Sequence, residues 1–325
     1  MTDIAMIDAA AARLHGHARR TPLLSSPFLD EIAGRRVLVK AECLQHTGSF
    51  KFRGAWSAVS ALPQAQRAKG VIAYSSGNHA QGVALAARQH GIPAVIVMPE
   101  DAPRVKTLNT RALGAEVVLY DRATEDRDAI GAALAAERGL TLIKPFDEPL
   151  VIAGQGTTGL EIAVQAREEG IETAEVLVCC GGGGLTAGIA LAIAARAPGL
   201  RARPVEPAGF DDTARSLEAG RRLRNAFPTG SVCDAIITPE PGQITFPILQ
   251  RLCGPGLVVT DDEALFAMVL AFSCLRVVLE PGGAVALAAA LFRPDALSGP
   301  AVIAVASGGN VDADLFRDAL SRFGG

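Results

Sequence analysis

Short runs rich in β-branched residues alternate with Ala- and Leu-rich stretches of helical length along most of this chain, and no other feature constrains its fold as strongly. The runs read RVLVKAE, VIAYS, AVIVM, AEVVLY, EVLVCC, ARPVE, LVVT and AVIAVAS. Between them lie segments such as NHAQGVALAARQHG and LTAGIALAIAARAPG, the latter closing with Pro and Gly as helix stops do. Strand and helix in turn predict mostly parallel sheets covered by helices. With 325 residues, 49% of them hydrophobic, the chain can build one large or two ordinary α/β domains.

Charge and cysteine usage narrow the function class. The formal net charge is −3 and the signs are interspersed, which leaves no basic stripe for nucleic acid and no polybasic membrane patch. A small-molecule partner is the default. The start, MTDIAMIDAAAARLHGHARR, is Ala-rich and amphipathic and lacks the layout of a secretory signal. No window approaches the roughly 18 uncharged apolar residues of a membrane span. Cys43, Cys179, Cys180, Cys233, Cys253 and Cys274 are scattered without a CxxC pair, so the expected setting is a reducing cytoplasm.

Parallel sheets bind ligands at the carboxyl ends of their strands, so the Gly-rich strand-to-helix junctions carry the functional signal. YSSGNHAQG places Ser75, Ser76, Gly77 and Asn78 at a helix start, where they can cap the helix or hold a carboxylate. VCCGGGGLTAG has four consecutive glycines, which cost backbone entropy and imply that a ligand needs the bare backbone. A phosphate on the helix N-terminus is the natural candidate. Gly182, Gly184 and Ala187 also match G-x-G-x-x-A, and Glu206 follows at the distance of a ribose-binding acid, so a nicotinamide enzyme is a rival. AVASGGNVD supplies the third junction, with Ser307 at the strand end.

TGSFKFRGA sets Lys51 between Phe50 and Phe52 where a helix begins. A lysine on a helix surface snorkels to water, whereas one fenced by aromatic rings loses solvation and is driven towards the neutral, nucleophilic amine. An amine, a tetraglycine phosphate cradle and an asparagine loop together suit pyridoxal phosphate better than a dinucleotide, which has no use for Lys51.

GSFKFRGA, SSGNHAQGVA, PFDEPLVIAGQGT, CGGGGLTAGIA, VEP followed by DD, and SGGNVD occur in the order seen in the threonine/serine dehydratase and serine racemase family. The chain resembles these pyridoxal-phosphate enzymes from about residue 20 to its end. The fold implied is pyridoxal-phosphate fold type II, shared with the tryptophan synthase β subunit: two open twisted sheets covered by helices. The resemblance implies a large cofactor-binding domain of residues 1–62 and 149–325, a small substrate-loop domain of residues 63–148, and no regulatory domain.

Residue by residue, the resemblance implies that Lys51 bonds to the cofactor's aldehyde and later acts as the base at Cα, in an apolar setting made by Phe50 and Phe52. Gly181, Gly182, Gly183 and Gly184 match the phosphate cradle, and Asn78 the partner of the cofactor's phenolic oxygen. Ser75, Ser76, Gly77, Asn78 and His79 match the loop that grips the substrate carboxylate. Ser76 also stands where racemising relatives carry the serine that protonates the opposite face of Cα. Ser307 matches the partner of the pyridine nitrogen; a hydroxyl there makes a weaker electron sink than a carboxylate would and favours elimination. Glu206, Asp212 and the carbonyl of Phe210 match a cation site whose oxygen ligands suit Mg²⁺ or Ca²⁺; the plain alternative is that these acids cap a helix and face water.

The implied activity is dehydration and deamination of a β-hydroxy amino acid such as L-threonine or L-serine to a 2-oxo acid and ammonia, by a cytoplasmic homodimer. The alternatives are a serine or aspartate racemase and a dehydratase of 3-hydroxyaspartate or of a hydroxyectoine pathway. KPFDEP is closer to the dehydratase form than to the racemase form, which has asparagine in place of Phe146. Lys144, where His is usual, and Ala235, where Gly is usual, depart from the family pattern. An acidic substrate needs a cation near its second carboxylate, for which Arg104, Lys144 and Arg53 are the candidates.

Overall fold

The computed structural model describes residues 2–75, 77–102, 104–121 and 123–324, without the side chains of Arg104 and Val105. Its strands are β1 (Leu23–Ser25), β2 (Arg36–Ala41), β3 (Val71–Tyr74), β4 (Ala94–Pro99), β5 (Glu116–Tyr120), β6 (Thr141–Leu142), β7 (Ala174–Cys179), β8 (Leu200–Pro207), β9 (Leu257–Val259) and β10 (Ala301–Ala306). The helices in the first half are α1 (Ile4–Leu14), α2 (Pro27–Ala33), α3 (Lys51–Ala61), α4 (Gln64–Arg67), α5 (Asn78–Gln89), α6 (Arg104–Ala112) and α7 (Arg127–Arg138). Those in the second half are α8 (Pro149–Glu168), α9 (Gly184–Arg196), α10 (Asp212–Ala219), α11 (Thr245–Leu252), α12 (Asp261–Leu270), α13 (Pro281–Phe292) and α14 (Ala313–Phe323).

These strands form two sheets. The larger runs β1-β2-β10-β7-β8-β9 and the smaller β5-β4-β3-β6. All pairings are parallel except β1 with β2. Parallel strands covered on both faces read as continuous apolar runs, and every residue of β4 and of β10 is accordingly buried. Each Ile or Val so buried contributes roughly 1.5–3 kcal/mol of hydrophobic stabilisation. The same logic explains α13, apolar on all sides and buried from Pro281 to Leu291 beneath the larger sheet.

α3 is where the two units meet. Phe52, Ala55, Trp56 and Val59 join the core of the smaller sheet with Val71, Ala80 and Ile96. On its other side α3 meets α8, and a Cβ on Gly154 would stand 2.5 Å from the Arg53 carbonyl, so only glycine permits that approach. Among the described residues, no helix is long and apolar enough to cross a membrane. The cysteines are all free thiols.

Candidate active site

Lys51 is the first residue of α3 and projects into a cleft of about 510 Å³. Its Nζ donates to the carbonyl of Pro145 at 3.0 Å and lies 5.2 Å from the centre of the Phe50 ring. Burial pushes the amine down to about 8, against the opposing pull of Glu280. The positive end of the helix acts in the same direction as burial. The two flanking phenylalanines diverge: Phe50 lines the cleft, whereas Phe52 is fully buried in the small-sheet core and does not fence the amine.

Across the cleft, β7 ends at Cys179 and the chain turns through Gly181, Gly182 and Gly183 into α9, which starts at Gly184. Gly183 has φ +88°, in the left-handed region. A Cβ at Gly181 would stand 3.0 Å from the Ile236 carbonyl, and one at Gly182 would overlap the ring of Phe146. The loop is therefore bare backbone by necessity, opening onto a helix N-terminus as a phosphate site requires. Ser307, just past β10, lines the same cleft and lies beside the buried Cys179 thiol.

Two junction loops are tied directly to each other. Ser49 and Gly308 form an antiparallel bridge, Phe50 N donates to the Ser307 carbonyl at 3.1 Å, and Gly309 N donates to that of Gly48 at 2.9 Å. The lysine and the serine are thus held in register by the backbone.

Ser75, Gly77, Asn78 and His79 line the cleft at the start of α5; Ser76 lies outside the described residues. Gly77, not Asn78, is the N-cap of α5, and Asn78 makes no capping bond. Its Nδ2 donates instead to Glu280 Oε1 at 2.6 Å, and its Oδ1 accepts from Asn310 Nδ2 at 2.7 Å. His79 is buried, with Nε2 2.9 Å from the Ile143 carbonyl, and burial together with the nearby Lys51 charge pushes it down to about 3. It is a neutral imidazole and offers no positive charge to a carboxylate.

The cations expected near an acidic substrate separate in the same way. Arg53 does not face the cleft: it is buried beneath α3 against Glu42 at 2.8 Å and Glu161 at 2.7 Å, in a network shared with Lys40. Lys144 lines the cleft and is exposed, and the side chain of Arg104 is outside the description. Sequence reasoning missed Lys106, which is nearly buried in the cleft wall, 3.3 Å from Asp234 and 4.0 Å from Glu280. Ala235, beside Asp234, lines the cleft as well.

Glu206 and Asp212 are both fully buried. Glu206 accepts from the backbone amides of Thr213 and Ala214 at 2.9 and 2.7 Å, so it does cap α10, but from within the core and not facing water. Asp212 Oδ1 accepts from Asn225, and Oδ2 is buried without a partner. Burial, and for Glu206 its acidic neighbour, pushes Glu206 well above the carboxylate range and Asp212 up to about 7. Among the described residues no three His, Cys, Asp or Glu side chains cluster as a metal site. A cation here would depend on backbone oxygen as well.

Glu280 and Asn310 were also missed. LEPGG reads as the end of an apolar run before a Pro-initiated helix, and only the packing of that helix start against Gly308 brings its glutamate to Asn78.

The residues present fit pyridoxal phosphate: an amine depressed by burial, a glycine loop that admits no side chain and a strand-end hydroxyl line one cleft. Comparison with known proteins agrees. The profile of the pyridoxal-phosphate dependent enzyme family matches residues 14–308. An L-threo-3-hydroxyaspartate ammonia-lyase of Pseudomonas sp is 43% identical over 311 residues, covering 96% of each chain. The crystal structure of a T.th. threonine deaminase aligns with a TM-score of 0.90 at 46% identity, covering 95% of this chain and 99% of that one. Maize serine racemase aligns with a TM-score of 0.92 at 36% identity, covering 99% and 97%. With the cleft so lined and nearly the whole chain matched, this protein belongs to the pyridoxal-phosphate-dependent enzyme family, in its fold type II.

Proposed function

We infer that this chain is an ammonia-lyase that eliminates water from a β-hydroxy amino acid and yields a 2-oxo acid and ammonia. The observation that carries the reading is Lys51, half-buried at a helix start in the cleft that the glycine loop and Ser307 also line. Its likeness to the threonine and hydroxyaspartate ammonia-lyases supports L-threonine, L-serine and L-threo-3-hydroxyaspartate as the substrates to try. Bound pyridoxal phosphate supplies the electron-withdrawing ring that acidifies the substrate's Cα–H.

The chain's own groups do the rest. The Lys51 amine, shifted by burial towards its unprotonated form, takes the Cα proton. The Gly181–Gly184 backbone and the positive end of α9 hold the phosphate. Backbone and hydroxyl donors of the Ser75–His79 loop receive the α-carboxylate, since neutral His79 cannot supply a charge. The Ser307 hydroxyl, which lines the cleft, would be the partner of the ring nitrogen when the cofactor is bound; a hydroxyl there would leave that nitrogen neutral and favour loss of the β-hydroxyl over transamination.

Glu206, Asp212 and the Phe210 carbonyl hold Mg²⁺ or Ca²⁺ in this reading. Two buried acids with no ion-pair partner among the described residues support it, and the ion is structural, away from the bonds that break. Residues 63–148 form the small domain and close on the large one over substrate. Free thiols throughout support a cytoplasmic setting, and exposed Phe28, Ile32 and Phe272 leave apolar surface for a second copy in a homodimer.

The decisive assay is 2-oxo acid release from L-serine, L-threonine, both 3-hydroxyaspartate diastereomers and D-serine by the pyridoxal-phosphate-loaded protein, with Lys51→Ala as control. Release from at least one, lost in the variant, is expected. No release from any, with the band of lysine-bound cofactor present, overturns the lyase reading. The close likeness to maize serine racemase keeps racemisation as a second reading, followed by the chirality of unconsumed serine.

A further inference from the structure

We propose that Glu280 is a positioning residue which, with Asn310, locks Asn78 so that one amide N–H is spent on the carboxylate and the other faces the cofactor's phenolic oxygen. The proposal rests on the cofactor cleft described above and not on the choice of substrate.

A primary amide can flip, exchanging donor for acceptor, unless both ends are fixed. Asn78 is fixed at both. Its oxygen accepts from Asn310, whose second N–H is held by the Thr47 carbonyl at 2.8 Å. Its nitrogen donates to Glu280 Oε1. A flipped Asn78 would set oxygen against oxygen at Glu280 and amide against amide at Asn310. One amide hydrogen remains, and Asn78 lines the cleft that also holds Lys51 and Ser307.

Glu280 is itself anchored. Its backbone N donates to the Gly308 carbonyl at 3.1 Å, and its own carbonyl accepts from Gly283 N at 2.9 Å. A side chain at Gly308 would collide with the Glu280 carboxylate, so the SGGN glycine leaves room for it. Glu280 does not line the cleft, so it acts through Asn78.

The second carboxylate oxygen, Oε2, is buried and has no hydrogen-bond partner. The groups facing the carboxylate are Lys106 at 4.0 Å, Asp234, Lys51 and the Cys43 thiol. Burial pushes it up to about 7, with Lys106 and the Asn78 bond opposing and Asp234 adding to the rise. The carboxylate therefore changes charge near neutrality. When ionised it holds the first amide hydrogen more strongly and leaves the second a weaker donor to the cofactor.

The test uses wild type, Glu280→Gln, Glu280→Ala, Asn310→Ala, Asn78→Ala and the Asn78→Ala/Glu280→Ala double variant, each titrated with pyridoxal phosphate. Cofactor affinity and the absorbance of the lysine-bound cofactor are read against pH. Wild type should show a spectral transition with a midpoint near pH 7 that Glu280→Gln lacks while keeping the band. Glu280→Ala and Asn310→Ala should each bind cofactor up to roughly tenfold more weakly, the loss of about one net hydrogen bond on Asn78. The double variant should lose far less than the sum of the two single losses, because Glu280 reaches the cofactor through Asn78 and its pull on Lys51 is the only separate route. Additive losses in the double variant, or a Glu280→Gln spectrum that titrates as wild type does, overturn the proposal. If Glu280 variants fail to fold, unchanged affinity in Asn310→Ala overturns it from the other side. Failure to turn over any substrate with these spectral effects intact sinks the lyase reading alone; absence of the band in wild type sinks both.

Discussion

Phe146 packs so tightly over Gly182 that its ring occupies the space a methyl group on that glycine would need. The aromatic ring and the bare backbone thus define one wall of the glycine loop together. Gly182→Ala should force the ring or the loop aside, at the roughly 1–3 kcal/mol typical of overpacking. The expected result is a fall in pyridoxal-phosphate affinity of about ten- to a hundredfold, read by titrating cofactor absorbance, with the fold intact by circular dichroism.

The depressed Lys51 amine predicts a pH profile for cofactor uptake. Only the unprotonated amine attacks an aldehyde, and burial favours that form, with half of it present at about pH 8 instead of 10.5. Reloading of cofactor-stripped protein should therefore accelerate from pH 6 and level off above about pH 8. A rate still climbing steeply at pH 10 contradicts this. Lys51→Ala should show no lysine-bound band at any pH and lose about a thousandfold or more in turnover.

Beneath α3, Arg53 and Lys40 share the carboxylates of Glu42 and Glu161. Burial alone would raise the Glu42 carboxyl, but Arg53, its hydrogen bonds and Lys40 outweigh it and hold the group below its ordinary 4.5. A depressed carboxyl contributes stability that is present above its unfolded value and lost as pH falls through its folded one. Glu42→Gln leaves buried charge uncompensated and should cost about 3–5 kcal/mol in urea unfolding at pH 7. That difference should shrink below pH 4.5, where the wild type loses the same interaction.

A cation bound by Glu206 and Asp212 should stabilise the native chain by mass action. Millimolar Mg²⁺ or Ca²⁺ is expected to raise the thermal midpoint of the wild type by several degrees and to do little for Asp212→Asn. Equal shifts in both proteins would place the ion elsewhere.

The alternation of strands and helices made a parallel, helix-covered α/β architecture legible, because fully covered parallel strands such as β4 and β10 must be apolar throughout, whereas the division into two sheets came from the family resemblance. β1 and β6 escaped notice for the opposite reason. They are three and two residues long and carry no run to see, and β1 is the antiparallel edge. At the site, the lysine, the glycine loop and Ser307 stand out because each sits at a local strand or helix boundary. Glu280 and Lys106 do not, since their meaning comes from partners far along the chain. Arg53, one of three candidate cations whose direction the sequence leaves open, lies two residues past Lys51 on the same helix start, a spacing that turns its side chain to another face.

The bridge between Ser49 and Gly308 joins an early stretch of synthesis to a late one. β10, which carries Ser307 and Gly308 into place, lies between β2 and β7 at the heart of the larger sheet. Every other described strand precedes β10 in the chain, so the larger sheet stays split until β10 docks. Cofactor capture therefore waits on that strand, and a truncated chain lacking β10 should keep α3 packed while losing the backbone bonds that tie the residues before Lys51 to Ser307 and Gly309.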